Sequence, residues 1–133
     1  MSGGLDILVI DDDPVYGELT LERLEPTGYS AAFYLGPFGT VNMLRQIKPK
    51  LAILDVNMPG LDGTSILELI RKSPVPSSMR VMLHSSLDQR ELEPLVVLHG
   101  ADAALHKSAS RAEFLALVEK LMRHSSPLSN PPP

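Results

Sequence analysis

The chain has 133 residues, 44% hydrophobic and 21% charged, which suits one compact domain whose core needs no covalent staple. It has no cysteine, which excludes disulfides, thiolate catalysis and cysteine-ligated zinc; its net charge of −4, with no basic cluster, argues against nucleic-acid binding. Met1-Ser2-Gly3-Gly4 carries no signal-peptide pattern and no apolar run approaches a bilayer span, so a cytoplasmic protein with no membrane partner is expected.

Leu5 to Ile10 is a short β-branched apolar run that reads as a buried strand. Asp13-Pro14 follows as a helix cap and first helical residue, and Leu19, Leu21 and Leu24 carry the helix to its stop at Pro26 and Gly28. Tyr29 to Leu35 reads as a second strand. Pro37 is expected to start a second helix, with Val41, Leu44 and Ile47 on one face and Pro49 closing it. Leu51 to Leu54 is a third buried strand, running into the loop Asp55-Val56-Asn57-Met58-Pro59-Gly60. Asp62 caps a helix carrying Ile66, Leu67, Leu69 and Ile70, broken by Pro74 and Pro76. Arg80 to Leu83 is a fourth strand. Leu87 to His99 is helical in pattern but contains Pro94; a proline in a helix interior costs about 3 kcal/mol, so a short helix beginning near Glu91 is expected, with Gly100 as its stop. Ala103 to His106 is a fifth strand. Ser110 caps a last helix with Phe114, Leu115, Leu117, Val118 and Leu121 on its apolar face. The domain is expected to span residues 1–124, followed over 125–133 by a mobile proline-rich tail.

Short non-alternating strands that alternate with helices imply a parallel sheet covered on both faces, and right-handed crossovers make it doubly wound. The functional crevice of such a sheet lies at the carboxyl ends of its strands. Four of the five strands end in reactive polar residues: Asp11-Asp12-Asp13, Asp55, Ser85 and Lys107. Crowded carboxylates repel one another unless a cation neutralises them, and an oxygen-only donor set suits Mg²⁺ or Mn²⁺. A carboxylate attacks phosphorus only when the donor's charge is screened, as a cation and a lysine can do, while a hydroxyl binds a phosphoryl oxygen. Metal, carboxylate, lysine and hydroxyl together make a minimal phosphoryl-transfer site.

The segments ILVIDDDP, LAILDVNMPGLDG, VMLHSS and GADAALHK resemble the receiver domains of two-component response regulators, in order and spacing, from about Leu5 to Met122. The resemblance implies a (βα)5 fold, flavodoxin-like, with strand order 2-1-3-4-5. It implies that Asp55 is the phosphoacceptor, that Asp12, Asp55 and the Asn57 carbonyl ligate the metal directly, and that Asp11 acts through metal-bound water. Ser85 takes the place of the family's Ser or Thr, and Lys107 that of its lysine, pairing with Asp55 or its phosphate. The implied phosphodonor is a phosphohistidine on a sensor kinase or phosphotransfer protein. The domain would then be no enzyme in the ordinary sense, but a phosphoacceptor that catalyses its own phosphotransfer and dephosphorylation and switches a downstream protein partner.

Asp13 reads as a solvated helix cap, and Ser85 is preferred to Ser86 on strand register. His84, His99, His106 and His124 show no metal-ligand spacing and read as structural or solvent-facing. Three departures from the family pattern stand out. Ser108 replaces the proline after the lysine, and since a cis peptide without proline costs about 2.5–4 kcal/mol, Lys107–Ser108 is expected to be trans. Ala104 replaces an aromatic, so output is expected to run instead through movement of the loop from Ser85 to Glu93 or of the proline-containing helix. Ser86 and Leu87, in slots usually small and polar, are expected to slow water's access to the acyl phosphate. Leu95, Leu98, Ala104 and Leu105 offer an apolar face, on the proline-containing helix and last strand, for a partner or a homodimer. The alternative to an active receiver is a docking or dimerisation module that works without phosphorylation. A haloacid-dehalogenase-type phosphatase is disfavoured by length, and a flavin-phosphate binder by the acidic residues after strand one.

Overall fold

Five strands form a single parallel sheet in the order β2-β1-β3-β4-β5: β1 (Ile7–Asp11), β2 (Ala31–Leu35), β3 (Leu51–Leu54), β4 (Arg80–Ser85) and β5 (Ala103–His106). The structure is a computed structural model and describes residues 4–56, 68 and 79–123. Among these the helices are α1 (Pro14–Leu24), α2 (Thr40–Ile47), α3 (Gln89–His99) and α4 (Arg111–Arg123). Asn57, the Met58-Pro59-Gly60 loop, the helix expected after Asp62, His124 and the proline-rich tail lie outside the described residues. Strand order and parallel pairing are those expected from the sequence.

Two-residue periodicity divides each strand between two cores. Ile7, Val9, Leu51, Ile53 and Met82 pack against Leu24 of α1 and Phe114, Val118 and Leu121 of α4. Leu8, Ile10, Ala52, Leu54, Val81 and Leu83 pack on the other face against Leu44 of α2 and Leu92 of α3. Both faces are covered, so the strands need no polar alternation. Each fully buried Leu, Ile or Phe contributes about 1.5–3 kcal/mol of transfer free energy.

The helix ends follow local chemistry. Asp13 accepts hydrogen bonds from the Val15 and Tyr16 amides and Pro14 is the first helical residue, as expected for α1. A 3₁₀ turn over Glu25–Thr27 and left-handed Gly28 end this unit. The buried face of α1 is Gly17, Thr20 and Leu24, whereas Leu19 is exposed. The Phe33 ring on β2 explains the difference: a Cβ on Gly17 would lie 2.5 Å from its Cδ1, so the helix approaches the sheet through its small residues.

Helix α2 begins at Thr40, not at Pro37. Gly39 adopts a left-handed conformation (φ 77°), and the Thr40 hydroxyl donates to the Pro37 carbonyl, which makes residues 37–39 a turn. Helix α3 begins at Gln89, earlier than expected, which leaves Pro94 in its second turn. Asp88 and Glu91 form a reciprocal capping box, and Leu92, one turn into the helix, is fully buried. Cap and burial together offset the single hydrogen bond that Pro94 cannot make. Gly100 ends α3 as expected, in the left-handed region, its amide donating to the Val96 carbonyl. Ser110 caps α4: its Oγ accepts from the Glu113 amide (3.1 Å) and its own amide donates to Glu113 Oε1 (3.2 Å).

Candidate functional site

The chain turns from β1 to β2 on one side and continues from β3 on the other, so the carboxyl ends of β1 and β3 sit side by side at the switch point. Asp11 is the last residue of β1. Asp55 follows β3 directly, and its amide donates to the Ile10 carbonyl (3.0 Å). Both side chains are buried. Oxygens of Asp11, Asp12 and Asp55 all lie within 4.8 Å of one another.

Lys107, just past β5, reaches across this group. Its Nζ lies 2.8 Å from Asp11 Oδ2 and 3.2 Å from Asp55 Oδ2. Its side chain is only 14% exposed, so these ion pairs are shielded from water. Burial pulls the ammonium toward neutrality, but the hydrogen bond to Asp11 and the charges of Asp55 and Asp11 outweigh it; the pKa is held above the usual lysine value. Burial pushes Asp12 above the usual carboxylate range, and the charge of Asp11 pushes the same way. The Asp13 amide donates to Asp11 Oδ1 (3.0 Å), fixing that carboxylate's rotamer.

Ser85 ends β4 in full burial and pairs in register with His106, while Ser86 is exposed. Ser85 Oγ accepts the Leu87 amide (3.2 Å), and the Ser85 carbonyl accepts the Lys107 amide (2.8 Å). The site residues expected from sequence that fall within the described residues therefore lie at one edge of the sheet; Asn57 falls outside them. The one cis peptide among the described residues is Gly36–Pro37, so Lys107–Ser108 is trans.

Among the described residues three carboxylates gather around one ammonium, an excess of negative charge. A divalent cation with oxygen preference suits that excess, and the donor set has no nitrogen or sulfur to favour zinc or copper. The residues fit Mg²⁺ or Mn²⁺.

Sequence reasoning missed a column of aromatic rings behind Lys107. The Lys107 ammonium lies 4.3 Å from the centroid of the Tyr16 ring, and the Tyr16 hydroxyl donates to the Lys107 carbonyl (2.7 Å). The Tyr16 ring packs on His84 (5.7 Å between centroids) and His84 on Phe114 (5.4 Å). His84 is buried, and burial together with the Lys107 charge lowers its pKa to about 4. It is neutral at physiological pH, a structural ring rather than a charge. His106 lies at the rim, with Nδ1 2.7 Å from Ser108 Oγ and Nε2 3.0 Å from the Ser86 carbonyl.

The profile of the response regulator receiver domain matches residues 7–119. The chain is 29% identical over 119 residues to the DNA-binding dual master transcriptional regulator RpaA of Synechocystis, covering 90% of this chain and 49% of that protein. It is 30% identical over 123 residues to the transcriptional regulatory protein BaeR of Escherichia coli, covering 91% and 49%. The chain thus spans about half the length of these curated relatives. Among solved structures, a CheY-like response regulator receiver domain protein from Methanospirillum hungatei superposes with a TM-score of 0.81 at 22% identity, over 92% of this chain and 97% of that one, which shows the shared fold. With five parallel strands in the order 2-1-3-4-5 and a profile match over most of its length, this chain belongs to the response regulator receiver domain family of two-component signal transduction.

Proposed function

We propose that Asp55 accepts a phosphoryl group from a phosphohistidine on a sensor kinase or phosphotransfer protein, and that the resulting aspartyl phosphate switches binding to a downstream protein. The observation that carries this reading is the reach of Lys107 to both Asp11 and Asp55 within a cluster of three carboxylates. An ion-paired acceptor stays ionised, as a nucleophile must, and the same ammonium can follow the charge onto the phosphoryl oxygens.

In the transfer, an Asp55 oxygen forms the new bond to phosphorus as the bond from phosphorus to the donor nitrogen breaks, and the imidazole leaves with the bonding electron pair. Lys107 and the Ser85 hydroxyl each bind a phosphoryl oxygen. Asp11, Asp12, Asp55 and the Asn57 carbonyl would hold Mg²⁺ or Mn²⁺, which when bound neutralises charge on donor and acceptor oxygens. Asp13 caps α1 and is kept out of the ligand set. Hydrolysis of the acyl phosphate resets the domain. We assign the work to the cytoplasm, where the kinase's phosphohistidine is formed.

The output face is the exposed side of α3. Val97 and Leu98 are exposed there, whereas Leu95 packs into the core. A protein partner or a second copy of the chain would cover these two side chains.

The test is incubation with acetyl phosphate and Mg²⁺ followed by intact-mass measurement. One added phosphoryl group is expected, none for Asp55→Asn, and none for the wild type without divalent cation. A wild-type mass that does not change would leave only a docking module.

A further inference from the structure

We propose that Tyr16 is a positioning residue that holds Lys107 in register for phosphoryl transfer. The proposal rests on the reading of Asp55 as phosphoacceptor. Two contacts made by one side chain carry it: the hydroxyl bonds the Lys107 carbonyl, and the ring lies under the Lys107 ammonium.

Lysine is a poor candidate for exact placement by itself. Its four-carbon stem carries high rotamer entropy, and its ammonium is a point charge with no preferred plane. In this chain the neighbouring residue Ser108 gives the backbone no ring constraint, and Lys107–Ser108 is trans. Restraint comes from elsewhere. The Lys107 amide is tied to the Ser85 carbonyl (2.8 Å), and the Lys107 carbonyl is tied to Tyr16 Oη (2.7 Å). The residue is thus fixed on both sides of its Cα, and its stem is directed over the Tyr16 face toward Asp11 and Asp55.

Tyr16 is itself well held. Its amide donates to the Asp13 cap (3.3 Å), its carbonyl accepts the Thr20 hydroxyl (2.9 Å), and its ring rests on His84. The aromatic face also has a use during transfer. While the ammonium exchanges carboxylate partners for phosphoryl oxygens, the ring quadrupole keeps it stabilised within the same few ångströms. A leucine or methionine at position 16 would fill the space but supply neither contact.

Tyr16→Phe removes the hydroxyl and keeps the ring; Tyr16→Leu removes both. In the Mg²⁺-free 133-residue chain, NMR should find the Lys107 ε-methylene protons shifted upfield by the ring current in wild type and Tyr16→Phe, and near random-coil positions in Tyr16→Leu. With acetyl phosphate and Mg²⁺, we expect Tyr16→Phe to be phosphorylated about fivefold more slowly and Tyr16→Leu about tenfold or more, with Mg²⁺ affinity unchanged. An unshifted wild-type Lys107 signal overturns the proposal, and so does wild-type phosphorylation by folded Tyr16→Leu. If Tyr16→Leu does not fold, the wild-type shift and the Tyr16→Phe rate decide. If the wild type takes no phosphoryl group, the Asp55 reading fails, and the ring-current shift alone upholds or overturns the positioning of Lys107.

Discussion

His84 should make this protein lose stability as the pH falls from about 6.5 toward 4. Its ring is 3% exposed, lies between Tyr16 and Phe114, and has a pKa lowered to about 4 from an ordinary value of 6.5. Between these values the unfolded chain binds a proton that the folded chain refuses, so stability rises with pH across the window. The contribution is complete above about pH 6.5 and is lost as the pH falls toward 4. A shift of this size is worth about 3 kcal/mol in total, of which about 2 kcal/mol is gone by pH 5. That is a large share of the stability of an ordinary domain.

The assay is urea unfolding at pH 7.5, 6 and 5, without divalent cations, on wild type and His84→Leu. The substitution keeps an apolar side chain in the slot and removes the titrating group. Carboxylate effects are common to both proteins and cancel in the difference. The wild type should lose about 2 kcal/mol more than the variant between pH 7.5 and 5. Parallel stability curves would refute the reasoning, as would an NMR titration of His84 with a midpoint near 6.5.

Asp12→Asn should stabilise the cation-free protein at neutral pH, because the raised pKa of Asp12 marks its ionised form as disfavoured in the fold; the same variant should lose most of the thermal shift that Mg²⁺ gives the wild type. Gly17→Ala gains about 1 kcal/mol of helix propensity but drives a methyl into the Phe33 ring, and a net loss of about 1–2 kcal/mol in denaturant melts is expected. Pro94→Ala restores a backbone donor in the second turn of α3 and should raise stability by up to about 3 kcal/mol, with no change in phosphorylation rate. With Leu87 apolar and packed against the core, the acyl phosphate should persist for minutes or longer in the isolated domain; decay within seconds by intact mass counts against this.

How much of this was legible in the sequence depends on how local the cause is. Strands β3 and β5 are found at the residues expected, because a buried parallel strand is a short apolar run between turn signals and needs nothing else to be seen. Caps at Asp13 and Ser110 were legible for the same reason. The start of α3 was not: Pro94 argues for a late start, while the Asp88-x-x-Glu91 capping box sets an earlier one. The buried face of α1 was not legible, because the packing partner at Gly17, Phe33, lies on another element. Tyr16 was missed for a related reason. Its role is set by a lysine 91 residues away, and the sole local sign is an aromatic residue four positions after Asp12.

Asp11, Asp12, Asp55 and Lys107 are visible in sequence as single residues, yet their meaning lies in an unbalanced charge count. Burying Asp11 and Asp55 with one ammonium between them leaves the cation-free site under repulsion that the surrounding fold must absorb. A divalent cation held there would relieve it. On the proposed reading, phosphorylation of Asp55 would exchange one carboxylate charge for a phosphoryl group with more charge and more acceptor oxygens, which demands donors. Lys107 is one. Another, proposed from its place at the end of β4, is Ser85, whose Oγ accepts the Leu87 amide just before α3. If the Ser85 side chain rotated to donate to a phosphoryl oxygen, its hold on Leu87 would loosen, and Leu87 leads directly into the Asp88 cap. With Ala104 in the slot where the family has an aromatic ring, this hydrogen bond is one route by which charge at Asp55 could reach α3 and the exposed Val97 and Leu98 on it.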